Sequence, residues 1–208
     1  MLEQYRTVYE GGEGEITEKK SRFIATVHPV ESEEEALAFL EEMKKKYWDA
    51  RHNCYVYSIG MNREFTRCSD DGEPSGTAGR PMLDVILGED IYNVAVVVTR
   101  YFGGILLGTG GLVRAYSEAT IKALDKAKIV NKKKGYQVKI VTTYDQIEQF
   151  NYYVNKNNLK VVNTEYLENI EIMIEMTEEH LKKITNSNSK NPLKIIKYDI
   201  LKEKYIDI

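Results

Sequence analysis

Residues 94–124 read VAVVVTRYFGGILLGTGGLVRAYSEATIKAL. Val94 to Val98 is an unbroken apolar, mostly β-branched run, the pattern of a strand buried on both faces. Thr99, Arg100, Tyr101 and Phe102 lead into Gly103-Gly104 and, after three aliphatics, into Gly108-Thr109-Gly110-Gly111. Leu112, Ala115, Tyr116, Ala119 and Ala123 follow at helical spacing. A buried strand therefore enters a glycine-rich bend and leaves as an amphipathic helix. A helix opening at Gly110-Gly111 presents free N–H groups, and Arg114 in its first turn adds positive charge, so the bend suits an anion.

Two familiar phosphate loops fail here. Gly103 and Gly108 have P-loop spacing, but Thr109 stands where the lysine is needed and Gly110 where Ser or Thr belongs. The dinucleotide fingerprint fails because Val113 occupies the place of its third glycine. An ATPase and a nicotinamide site are set aside, and no cofactor is expected. The competing reading of the loop is tight packing of strand, turn and helix.

The 208 residues allow one large domain or two of about 100 each. A 42% hydrophobic and 29% charged composition is that of a globular protein. No apolar run approaches the roughly 20 residues of a membrane span, and the N-terminus lacks signal-peptide character. Cys54 and Cys68 form no disulfide framework and no Cys-x-x-Cys, which points to a reducing, cytoplasmic location.

The net charge of −3 is unevenly spread: residues 1–131 carry −5 and residues 132–208 carry +2. All eight arginines lie in the first part. From Arg51 through Arg63, Arg67, Arg80 and Arg100 to Arg114 every cation is arginine, whose planar fork suits carboxylate or phosphate. Internal pairing with nearby acids is the competing reading.

Along the chain, residues 4–10 read as extended, Gly11-Gly12 as a turn, and residues 21–27 as a strand ended by His28-Pro29. Ser32 and Glu35 form a capping box opening a helix over residues 33–48, with a buried stripe of Ala36, Leu37, Leu40, Met43 and Tyr47. Residues 54–59 and 64–68 read as paired strands. The loop from Ser69 to Pro81 is dense in Gly, Pro and Asp, and Met82 to Gly88 reads as a short helix. Composition shifts at Asn131-Lys132-Lys133-Lys134-Gly135, which reads as a domain boundary and basic hinge. Residues 132–208 then read β-α-β-β-α-β, the ferredoxin-like order, with an exposed polar loop at 186–192.

Asp70, Asp71 and Glu73 invite a Mg²⁺ site, although adjacent acids on extended backbone diverge, so no metal is assigned. His52 and Cys54 share one side of a strand, a poor geometry for a nucleophile–base dyad. Ser75 lies in no nucleophile elbow. Tyr101, Phe102 and Tyr116 can stack on bases, while aromatics bordering a central strand also serve as core.

RHNCYVY (residues 51–57), SDDGEPSGTAGRPML (69–83) and VVVTRYFGGILLGTGGLVRAYSEA (96–119), in this order, closely resemble the IMPACT family, bacterial YigZ-like branch. The resemblance implies an α+β fold: a first domain, 1–131, like domain 2 of ribosomal protein S5, followed by a ferredoxin-like domain, 132–208. Relatives of both domains work on ribosomal RNA. Eukaryotic members regulate translation under amino-acid starvation by binding a ribosome-associated activator of a stress kinase, and they also bind actin. Carried over by position, the family surface comprises His52, Asn53, Ser69, Asp70, Asp71, Gly72, Glu73 and Pro74. To these the resemblance adds Arg67, Thr77, Gly79, Arg80, Arg100, Tyr101, Gly103, Gly104, Gly108, Thr109, Gly110, Gly111, Leu112, Val113 and Arg114. Leu106 departs from the family pattern, where lysine is usual.

The leading expectation is a non-catalytic binder of structured RNA or the ribosome, acting in translation control. Its anion-binding set is Arg67, Thr77, Arg80, Arg100, Tyr101, Gly103, Gly104, Gly108, Thr109, Gly110, Gly111 and Arg114. The alternatives are a regulator that binds a translation-associated protein, and an enzyme acting on a phosphorylated small molecule with Asp70, Asp71 or Glu73 as acid, base or Mg²⁺ ligand.

Overall fold

The computed structural model describes residues 2–185 and 193–208; the expected loop at 186–192 lies outside the described residues. The chain divides into two compact units, 1–131 and 132–208, and is mixed α+β.

The first unit opens with β1 (Gln4–Glu10), β2 (Gly12–Glu18) and β3 (Ser21–Pro29), followed by α1 (Glu33–Lys46). Next come β4 (His52–Ile59), β5 (Phe65–Ser69), α2 (Gly79–Gly88), β6 (Ile91–Tyr92), β7 (Val94–Tyr101) and α3 (Thr109–Leu124). Five strands form an antiparallel sheet in the order β2-β3-β7-β4-β5, while β1 pairs in parallel with β6. Central β7 explains the apolar run. Val94, Val96 and Val98 join the core shared with α2 and α3, whereas Ala95 and Val97 join the core under α1. Covering both faces removes the polar alternation of a half-exposed strand.

Several expectations are corrected. Gly12 opens β2 instead of ending in a turn. A Cβ on Gly14 would come within 2.5 Å of Ala123 N, so its bare backbone lets α3 lie directly on the strand. On α1 the buried residues are Ala36, Phe39, Leu40 and Met43, while Leu37 is 50% exposed. The helix face is rotated toward Phe39, whose ring stacks on His28 at 4.8 Å. Ser32 does cap this helix, accepting from Glu35 N at 3.2 Å, and the Glu35 carboxylate reaches back to Glu31 N at 2.7 Å.

The long strand β8 (Lys128–Thr142) begins in the first unit and ends in the second. Lys132, Lys133 and Lys134, expected as a hinge, are strand residues that pair with β11. A short 3-10 turn (Tyr144–Gln146), α4 (Ile147–Lys156), β9 (Lys160–Tyr166), β10 (Ile170–Thr177), α5 (Glu178–Thr185) and β11 (Ile195–Asp207) complete the second unit. Its strands pair antiparallel in the order β11-β8-β10-β9, the ferredoxin-like arrangement. Val138, Ile140, Ile172 and Ile174 meet Phe150 and Val154 of α4 and Leu181 and Ile184 of α5 on one face.

Candidate functional site

Antiparallel pairing brings the quoted motifs to one end of the five-stranded sheet. Arg22 faces Tyr101, His52 faces Arg100, and Tyr55 faces Ser69. The start of β3, the start of β4, the loop after β5 and the loop after β7 therefore share that end.

The loop after β5 is held by its acids. Asp70 accepts from Gly76 N at 2.7 Å, Ala78 N at 2.9 Å and Gly79 N at 2.8 Å, which ties the loop to the start of α2. Burial disfavours its charge, but the three backbone donors outweigh that and hold its pKa below the ordinary carboxylate value. Asp71 accepts from Asn53 N at 2.6 Å, and its carbonyl meets His52 Nδ1 at 2.8 Å. The Thr77 hydroxyl donates to Pro74 O at 2.6 Å. Gly72 has φ +84°, a left-handed conformation that favours glycine.

Beneath this loop lies a buried polar chain. Arg100 Nη1 donates to Glu73 Oε1 at 2.7 Å and Oε2 at 2.9 Å, and Tyr116 donates its hydroxyl proton to Glu73 Oε1 at 2.8 Å. Cys54 Sγ lies 2.9 Å from Asp70 O and 3.3 Å from the Tyr116 hydroxyl. Burial pushes the Cys54 thiol up to about 12 and raises Tyr116 as well. Ser21 Oγ accepts from Gly103 N at 3.1 Å and lies 3.4 Å from Arg100 Nη2. Gly103 sits so close that a Cβ there would lie 2.0 Å from Lys20 C, so this glycine serves close packing.

These contacts correct the expected anion cradle. Arg100 is 6% exposed and paired inside the fold, so it cannot meet an outside phosphate. Arg80 is exposed but bonded to Asp84 at 2.8 Å. Arg63, with Asp90 at 3.2 Å and the Tyr92 ring at 3.9 Å, is also engaged. Thr77 is buried, and the Tyr101 hydroxyl is given to Asp49 at 2.8 Å, a bond that raises its pKa. Tyr116 is core, as a buried ring edge-on to Phe23. Asp70, Asp71 and Glu73 send their carboxylates to three different sets of partners and do not converge. His52 is engaged by the Asp71 carbonyl rather than by Cys54.

Other parts of the set remain open. Gly104 and Gly108 have φ +83° and +71° with free space around them, and Gly110 and Thr109 are exposed at the start of α3. Gly111 is half-buried against Leu107. Gly108 caps α3 without a side-chain hydrogen bond. Among the described residues, Arg51, Arg67 and Arg114 are exposed and without an ion pair, as are Lys19 and Lys20 on the β2–β3 turn. The loop after β7 also exposes apolar side chains: Phe102 is 50%, Ile105 44% and Leu106 82% exposed. Sequence reasoning missed Ser21, Lys19 and Lys20. A serine or lysine beside a turn has no local mark of its role, and only the β3–β7 register reveals it.

The wider comparisons agree with the motifs. The family model for the Impact N-terminal domain matches residues 19–124, and one for a domain of unknown function, DUF1949, matches residues 140–186. The IMPACT family member YvyE of Bacillus subtilis is 41% identical over 171 residues, covering 82% of this chain and 79% of that relative. The IMPACT family member YigZ of Escherichia coli is 37% identical over 150 residues, covering 71% and 74%. A crystal structure described as that of a hypothetical protein is 29% identical with a TM-score of 0.62, covering 94% of this chain and 97% of that one. With its three motifs folded onto one end of a single sheet and residues 19–124 matched by the Impact N-terminal model, this chain belongs to the IMPACT family.

Proposed function

We propose that the chain is a non-catalytic, translation-associated regulator that works by binding a protein partner at the glycine-loop end of the first unit. The observation that carries this reading is Leu106, 82% exposed on a crest whose base is locked by the Ser21–Gly103 and Arg100–Glu73 contacts. A rigid base with an apolar tip, and with Lys20 beside Gly103 and Arg114 beside Gly110, is suited to a partner surface that is apolar at its centre and acidic at its rim. The family resemblance supports the translation link, because it implies eukaryotic members that regulate translation and bind a ribosome-associated protein. The acids, the thiol and the tyrosine that an enzyme would use are committed to the chain's own contacts.

A second reading, ribosomal RNA binding, is favoured by Lys19, Lys20, Arg51, Arg67 and Arg114, which are exposed without ion pairs. Pull-down from a ribosome-rich extract, with and without nuclease, separates the two. Protein binding predicts capture that survives nuclease and is lost in Leu106→Asp. Capture abolished by nuclease, or a steeply salt-dependent gel shift on ribosomal RNA that Arg51→Ala plus Arg114→Ala removes, would replace it with the RNA reading.

A further inference from the structure

We propose that β11 is a self-pairing edge, along which two copies of this chain join antiparallel about a two-fold axis through Tyr198. Among the described residues β11 forms a ladder only with β8, so along residues 196–200 its other side has no strand beside it. Folded proteins blunt such edges by keeping them short and charged. This one is 13 residues long; most of its charges crowd into residues 202–207, while the stretch 196–201 displays Ile196, Tyr198, Ile200 and Leu201, exposed by 56%, 43%, 49% and 46%. Tyr198 and Ile200 stand opposite Ile140 and Val138, on the helix-bearing face. Lys197 and Asp199 stand opposite Val141 and Lys139, on the other face.

Charge complementarity selects the second copy as occupant. In an antiparallel pair related by a two-fold axis perpendicular to the sheet, only side chains on the same face lie opposite each other, so the axis passes through a residue. Register shifts near Ile196 and Leu201 divide β11 into regular runs 197–200 and 202–207, and the exposed apolar side chains lie on or beside the first. An axis on Lys197 or Asp199 places each of those charges against its own copy, and an axis on Ile200 runs the pairing straight into the register shift between Ile200 and Lys202. An axis on Tyr198 sets each Lys197 against Asp199 of the second copy, Ile196 against Ile200, and the two tyrosines together. Charges then meet opposite charges on one face and apolar groups meet on the other, which is how cross-strand pairs stabilise a sheet.

Sedimentation equilibrium of the full chain tests this with a charge swap. The existing Lys197–Asp199 contact, 2.8 Å long with side chains 64% and 45% exposed, is a surface pair, so neither variant should disturb the fold, and far-UV circular dichroism checks that. The wild type should show twice the monomer mass. Lys197→Asp alone and Asp199→Lys alone should each fall to the monomer mass, since like charges then face each other. Mixing the two variants one to one, or combining both changes in one chain, should restore the doubled mass. A wild type that stays monomeric at its highest soluble concentration overturns the proposal. So do single variants that remain dimeric, or a mixture that stays monomeric.

Discussion

Arg100 and Glu73, separated by 27 residues, meet in the interior with Nη1 2.7 Å and 2.9 Å from the two carboxylate oxygens. Their side chains are only 7% and 3% exposed. The pair clamps the loop after β5 to the end of β7, and Tyr116 of α3 completes the clamp through Glu73. A residue that reads as a phosphate ligand is thus the bolt that holds the candidate face in shape.

Removing one member of a buried pair strands the other charge, at a cost of about 3–5 kcal/mol. Arg100→Met should therefore destabilise the first unit by about that much in urea unfolding. Adding Glu73→Gln, which neutralises the stranded group and keeps an acceptor for Tyr116, should recover part of the loss. An Arg100→Met protein as stable as the wild type would mean that the clamp contributes nothing.

Asp70 makes the first unit acid-sensitive. Its folded pKa lies below the ordinary value, so the stability it contributes is complete above the unfolded value near about 3.9. That stability is lost as pH falls through the lower folded pKa. Asp70→Asn should lower stability at pH 7 by about 1–3 kcal/mol, because backbone donors lose a charged acceptor. It should also flatten the acid limb of a stability–pH curve. An unchanged acid limb in Asp70→Asn would show that other carboxylates set it.

The glycines divide by role. Gly103→Ala drives a methyl to 2.0 Å from Lys20 C, backbone that cannot step aside, and should cost about 1–3 kcal/mol or more. Gly110, whose Cβ would meet only the end of Arg114 at 3.8 Å, tolerates alanine. Gly110→Ala should be neutral or stabilising by up to about 1 kcal/mol, since alanine loses less freedom on entering a helix. Thermal unfolding of both variants side by side checks the contrast.

The elements were legible in the residues because their causes are local. The Val94–Val98 run, the helical spacing after Gly111, the Ser32 cap and the β-α-β-β-α-β order of the second unit rest on periodicity and turn chemistry within a few residues. The three motifs likewise carried the family by themselves. What the tertiary structure decided depends on partners distant in the chain. It committed Arg100 to Glu73, laid α3 on Gly14, turned Phe39 rather than Leu37 inward, and ran β8 through the three lysines. An arginine's sequence neighbours set its charge and reach. Whether that charge is neutralised inside or offered outside is set by which strand lies next to it, and that is a property of the folded sheet.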